Sequence, residues 1–228
     1  MLKVILIAAA CLGLAACTTT DARIATSVER PTPGASVMML QPDVQLSLLT
    51  VSGMPEARAD WSTQSRDNIT AQVKQALDAK GLKYTEVDPS GAMAGHTGQL
   101  LRLNGAVGQS IILFNYGTYS LPTHKGSFEW TLGDGARDLG ATYHADYALF
   151  IGARGSYSSD ARKAAWLGAA MLGVALPMGG QSLYASLVDL KTGRVIWFNQ
   201  ALAGPGADMR NAEGAHSLVT DVMKTAPF

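Results

Sequence analysis

Two runs rich in branched and aromatic residues, 181–190 and 194–202, are separated only by Lys191-Thr192-Gly193. Strands joined by so short a loop pair as an antiparallel hairpin, and Gly193 supplies the left-handed residue that such a turn requires. Upstream, 146–158 holds Tyr147-Ala148-Leu149-Phe150-Ile151-Gly152-Ala153, an uninterrupted apolar run suited to a central strand. The hairpin and the central strand together predict a sheet, and a strand that is apolar on both faces needs helices to cover it.

The rest of the chain supplies the helices. Residues 36–40 and 44–51 read as extended segments separated by Gln41-Pro42-Asp43. Asp60 is placed to cap a helix in which Ile69, Val73, Ala76 and Leu77 recur at helical spacing and Gly81 marks the end. Residues 82–87 form a further strand, so this stretch reads as a β-α-β unit. Residues 99–116 are predicted helical despite Gly105 and Gly108, with a break at Leu121-Pro122-Thr123 and another short helix over 133–142. In the last helix, 209–224, Ala212, Ala215, Leu218, Val219, Val222 and Met223 share one face. The predicted order is β-α-β-α-β-β-β-α: one α/β domain over 36–228 with a mixed sheet, ending in an antiparallel hairpin and a C-terminal helix.

The amino terminus reads as an export signal. Met1-Leu2-Lys3 is followed by an uncharged apolar stretch to Gly13, the order of a secretory signal. Leu14-Ala15-Ala16-Cys17 then matches a bacterial lipobox, which predicts cleavage after residue 16, a diacylglycerol on the Cys17 sulfur and acylation of the new amine. The apolar run is shorter than the roughly 20 residues of a spanning helix. Cleavage of the ordinary A-x-A kind would place Leu14 where a small residue is required. Residues 1–16 are therefore expected to be a signal peptide and 17–35, with Pro31, Pro33 and Gly34, a flexible tether of roughly 25 Å. Two or more acyl chains hold a protein stably on a membrane. Thr18 follows the cysteine where an inner-membrane retention signal would have aspartate, so the expected location is the periplasmic face of the outer membrane.

Composition narrows the function. The two cysteines are Cys11, inside the signal, and Cys17, so the exported part has no thiol for a disulfide, a nucleophile or a metal–sulfur site. The formal net charge is zero, and losing Lys3 with the signal leaves the exported part slightly negative. A nucleic-acid partner, which needs a basic surplus, is not expected.

One segment carries a resemblance. Ala185-Ser186-Leu187-Val188-Asp189-Leu190-Lys191-Thr192-Gly193-Arg194-Val195-Ile196-Trp197 resembles the hairpins of envelope proteins in the TolB amino-terminal and CsgG-like group, which includes lipoproteins that activate penicillin-binding proteins. Together with Phe128-Glu129-Trp130-Thr131-Leu132-Gly133 and Asp146-Tyr147-Ala148-Leu149-Phe150, it is also similar to a set of uncharacterised proteobacterial lipoproteins. The resemblance implies an envelope setting, action by assembly or partner binding, and no catalytic residues; it is evidence by analogy.

Motifs of chemistry are sparse. The chain holds no phosphate loop, G-x-G-x-x-G fingerprint, G-x-S-x-G elbow or H-E-x-x-H pair. His96, His124, His144 and His216 are far apart. His144 and Asp146 would share a face of a strand, and the choice there is between half of a metal site and a solvated edge, the second being expected. Asp134 and Asp138 are four apart; paired carboxylates serve glycoside hydrolysis, but a solvated helix face with Arg137 is the expectation. No cofactor, metal or small-molecule substrate is expected.

The uncharged segment 164–178, AAWLGAAMLGVALPM, admits three readings. Ala165, Ala169 and Gly173 have the small-xxx-small spacing of closely packed helices. The expectation is a helix buried on the sheet, with Gly173 in a close contact; a self-association surface and an element that dips into lipid are the alternatives. The expected function is that of a non-catalytic, lipid-anchored envelope protein that binds a protein partner or assembles. A CsgG-like pore subunit using 164–178, and an envelope hydrolase, are the other readings.

Overall fold

A computed structural model describes residues 19–25, 30–32, 34–122, 127–203 and 207–228. Cys17 and the lipobox residues Leu14, Ala15 and Ala16, like His124, lie outside the described residues. The elements are β1 (Thr19–Ile24), β2 (Ser36–Leu40), β3 (Asp43–Leu49), β4 (Pro55–Ala57), α1 (Ala59–Ala79), β5 (Lys83–Val87), α2 (Gly95–Ile111), α3 (Ala136–Tyr143), β6 (Tyr147–Ser158), α4 (Asp160–Met171), β7 (Gly179–Asp189), β8 (Val195–Ala203) and α5 (Ala212–Met223). They build one mixed sheet in the order β1-β8-β7-β6-β2-β5, with β3 beside β6 and β4 beside β3. The expected α/β class, terminal hairpin and C-terminal helix are all present.

The apolar run of β6 is central because helices cover both of its faces. Leu149, Ile151 and Ala153 belong to one core cluster with Ile69, Val73 and Leu77 of α1 and Leu218, Val219 and Val222 of α5. Ala148 and Phe150, pointing the other way, join Leu100, Leu101 and Ile111 of α2 and Leu139 of α3. In α1 the buried residues Ser65, Ile69, Val73 and Leu77 fall every four positions, one narrow stripe on a helix that is otherwise polar. Each of its buried aliphatic side chains contributes roughly 1.5–3 kcal/mol of transfer free energy. Asn211 caps α5, its side chain accepting from the Gly214 amide at 2.8 Å.

Asp60 does not cap α1. The N-cap is Arg58, two residues earlier, with no side-chain cap, and Asp60 instead accepts a hydrogen bond from Arg58 Nε at 2.9 Å. The Arg58 amide is bonded to the Leu46 carbonyl, which fixes where the helix starts.

β2 and β3 are one strand broken by a bulge. Met39 is opposite Leu149, and Asp43 is opposite Gly152. Leu40, Gln41 and Pro42 therefore face only Phe150 and Ile151, one residue too many. Pro42 has no amide to give to the ladder. Past the bulge the strand leaves β5 and turns back through β4, antiparallel, which fixes the Thr50–Met54 turn.

The chief departure at the amino-terminal side is the tether. Thr19–Ile24, inside the span read as flexible, is a strand antiparallel to β8, from Thr19 opposite Leu202 to Ile24 opposite Trp197. Its composition is poor in large apolar residues because an edge strand is held by main-chain hydrogen bonds. Side chains add to that hold: Arg23 donates to the Asn115 carbonyl at 3.3 Å and lies over the Tyr116 ring.

Candidate functional site

The described features with functional potential gather at one end of the sheet, where β6 ends and β7 begins. Tyr157 is opposite Gly179, so β6 and β7 are hairpin partners with α4 inserted between them. No residue of α4 belongs to either core cluster. Leu167, Met171, Leu172 and Val174 are exposed, Met171 at 88% and Leu172 at 82%, and within α4 only Arg162 is buried. This corrects the reading of 164–178 as a helix buried on the sheet. The helix starts earlier and stops earlier than the apolar segment, and it lies beyond the ends of β6 and β7 rather than over either core.

Gly173 closes α4 rather than packing it. Its φ is +73°, and a Cβ placed there meets nothing within 4 Å. The Gly173 amide bonds to the Ala170 carbonyl and the Val174 amide to the Ala169 carbonyl, the paired bonds of a left-handed helix terminus. The small-residue spacing reflected a half-buried inner face, Ala165 and Ala169, ending at a cap.

Arg162 fastens the base of this arm. It is 5% exposed, and its Nε and Nη2 donate to the Pro177 carbonyl at 2.9 and 2.7 Å. Its Nη1 donates to the Val51 carbonyl at 3.2 Å and reaches the Thr50 carbonyl at 3.5 Å. One guanidinium thus joins both roots of the arm to the β3–β4 turn through four bonds to main-chain acceptors. Ser159 caps the helix, accepting from the Arg162 amide.

Beside the arm, on the α1 face, lies a cluster drawn from four places in the chain. Arg210 stacks on Tyr157 at 3.6 Å and on Trp61 at 4.6 Å, and Arg58 covers Trp61 at 4.0 Å. Arg210 Nη2 donates to Asp208 at 2.6 Å, and the single Tyr157 hydroxyl hydrogen is shared between Asp208, at 2.9 Å, and the Gln181 side-chain oxygen. Burial, and then the hydrogen bond to Asp208, push the Tyr157 phenol up. Burial alone would raise Asp208, but hydrogen bonds from Arg210 and Tyr157 outweigh it and hold the carboxylate below its ordinary range. Asp208 in turn raises Arg210. These groups satisfy one another. The arrangement locks the 207–210 segment to β6 and β7. Nothing in the local pattern announced it, since Trp61, Tyr157, Gln181 and Asp208 are brought together only by the fold.

On the opposite face, α2 and α3 cover only half of the sheet. Tyr184 lies over Gly152, where a Cβ would overlap its ring. Beyond it Gln45, Arg154, Ser182 and Leu202 form one row across β3, β6, β7 and β8, flooring an open trough of about 790 Å³. Thr19 ends the same row. Arg154 is held by Asp43, donating to its main-chain oxygen at 2.8 Å.

The other candidate residues do not converge. His144 is the left-handed residue that ends α3, at φ +51°, and Asp146 accepts from the Ser36 amide and hydroxyl, both at 2.8 Å, pinning β2 to β6. Asp134 lies before α3 and pairs with Arg137 at 3.4 Å, whereas Asp138 pairs with His96 at 3.0 Å. Among the described residues no group of three or more His, Cys, Asp or Glu is placed to hold a metal ion, and no helix is long and apolar enough to cross a membrane.

Gly193 sits at φ +74° in the β7–β8 turn. Asp189 organises that turn, its carboxylate accepting from the Lys191 amide at 2.8 Å and the Thr192 hydroxyl at 2.7 Å. A Cβ on Gly193 would overlap the Gly133 carbonyl, because Thr131 and Leu132 are bonded to the Gly193 carbonyl across the turn.

No family model and no curated protein matches the chain. Among solved structures, a PelC dodecamer from Paraburkholderia phytofirmans, a single-substitution variant crystallised in space group C2, is 12% identical, covers 92% of this chain and 97% of its own, and has a TM-score of 0.40. A PelC dodecamer from the same organism in space group P6 is 12% identical, covers 92% and 96%, and has a TM-score of 0.39. Similarity at this level assigns neither a family nor an activity.

Proposed function

We propose that this chain is a non-catalytic, lipid-anchored envelope protein, held through Cys17 on the periplasmic face of the outer membrane, that binds a protein partner or assembles there. The observation that carries the reading is the pairing of Thr19 with Leu202. Only Thr18 separates Thr19 from the lipobox cysteine. Two residues reach about 7 Å at most, so an acylated Cys17 holds the sheet close to the bilayer with little freedom to turn. A rigid, fixed orientation suits a protein that presents a surface. The half-covered sheet face, with Leu202 about half exposed beside Arg154 and Ser182, offers one.

The test is metabolic labelling with a fatty-acid analogue of cells producing the wild type or Cys17→Ser. Label on the wild type alone, with the variant released from the membrane fraction, is the expected result. Equal label on both refutes the anchor. A photoreactive residue at Ser182 tests the partner: a discrete cross-linked species is expected, and monomer alone refutes it.

A further inference from the structure

The exposed apolar surface and the point where the chain leaves for Cys17 are at the same end of the molecule. Residues Gln45, Arg154, Ser182, Leu202 and Thr19 mark one row across the sheet. Beyond that row β6 runs four residues further, to Ser158, and α4 follows at once. β1 starts in that row at Thr19, and in the sequence only Thr18 lies between Thr19 and Cys17. Strands are spaced by about 4.8 Å, so β1 is roughly 10–15 Å from the β6–β7 arm along the sheet. An anchored Cys17 thus brings the arm to the level of the membrane.

What the arm presents there is apolar. Leu167 and Met171 lie four apart on the outer face of α4, and Leu172, at the cap, and Val174, just past it, are exposed too. Val51 and Met54, in the turn that Arg162 bonds to the base of the arm, are exposed as well. The polar limit of the surface is the Asp160–Lys163 ion pair in the first turn. A helix of 12 residues is about 18 Å long, too short to cross a hydrocarbon core of about 30 Å but suited to lie in its interface.

We propose that α4 and the Thr50–Met54 turn rest on the bilayer that holds the acylated Cys17, as a second apolar contact that fixes the orientation of the domain. The proposal rests on the lipid-anchor reading. The position of the chain end is what selects a lipid surface over a second copy of the chain.

The experiment uses the full acylated protein in vesicles of phosphatidylethanolamine and phosphatidylglycerol carrying brominated acyl chains. Trp166 is the reporter, isolated as the difference between wild-type and Trp166→Phe emission, since Trp61, Trp130 and Trp197 are common to both. The Trp166 component should be quenched and blue-shifted on the brominated vesicles. Leu167→Asp with Met171→Asp should abolish that quenching while the acyl mass of the amino-terminal peptide and the thermal midpoint stay as in the wild type. An acylated, vesicle-bound protein whose Trp166 is not quenched overturns the proposal. So does protection of Trp166 that persists in detergent, is lost on dilution, and accompanies chain-to-chain cross-linking through Met171→Cys, which would make the arm a self-association surface. A peptide without acyl mass overturns the anchor reading instead; the arm's own contact then stands if the quenching is still seen and falls with the anchor if it is not.

Discussion

Replacing Gly193 by alanine should cost far more than the same change at Gly81, although both glycines have positive φ, +74° and +66°. At Gly81 a new Cβ meets nothing within 4 Å, so Gly81→Ala carries only the left-handed penalty, about 1 kcal/mol. At Gly193 the Cβ overlaps the main-chain oxygen of Gly133, and neither backbone can yield alone. Moving them apart strains the bonds that reach the Gly193 carbonyl, from the Leu132 amide at 2.8 Å and the Thr131 hydroxyl at 3.0 Å. Two hydrogen bonds at about 0.5–1.5 kcal/mol each, added to the conformational penalty, make about 2–4 kcal/mol. For a domain of this size each kcal/mol lowers Tm by about 2–4 °C, so Gly193→Ala should fall by roughly 4–16 °C and Gly81→Ala by about 2–4 °C. Thermal unfolding followed by circular dichroism measures both. Equal shifts would show that conformation alone governs the turn and would refute the steric argument.

Gly173→Leu should be mild, about 1 kcal/mol of left-handed strain, because open space replaces the overpacking expected from sequence; a loss above about 3 kcal/mol in chemical denaturation would contradict the exposed cap. Arg162→Met removes the donors to Pro177, Val51 and Thr50 and should loosen the arm by about 1–3 kcal/mol, read as faster amide exchange over 160–171; unchanged protection would refute the anchoring role. Asp208 has a folded pKa below its ordinary value, so its contribution to stability is present above about pH 4 and is lost as pH falls through the folded value. Asp208→Asn should therefore be less stable at neutral pH and lose less on acidification than the wild type; parallel stability curves would refute this.

Much of the fold was legible because its signals are local. The continuous apolar stretch of β6, the Lys191-Thr192-Gly193 turn and the four-residue stripe of α1 each follow from a short-range periodicity or a single backbone requirement. The two misread segments lack such signals. The Thr19–Ile24 strand carries no strong β pattern, since its pairing uses main-chain groups that every residue possesses. The apolar run 164–178 has the composition of a buried helix, and composition is blind to whether the segment lies over a sheet face or beyond its end. The Tyr157–Asp208–Arg210–Trp61 cluster was invisible because its members stand as much as 149 residues apart in sequence, from Trp61 to Arg210.

The sequence by itself determined the α/β class, the central strand and the terminal hairpin, because alternation, turn chemistry and helical spacing act over a few residues. It also set the expectation of a lipid at Cys17, which rests on a motif read along the chain. Only the tertiary structure decided which apolar surface stays outside. Burial depends on where a segment is placed as well as on what it contains: α1 and α5 fill one face, α2 and α3 half of the other, and α4, inserted where β6 ends and β7 begins, joins neither core and stays exposed at the end of the sheet where β1 starts.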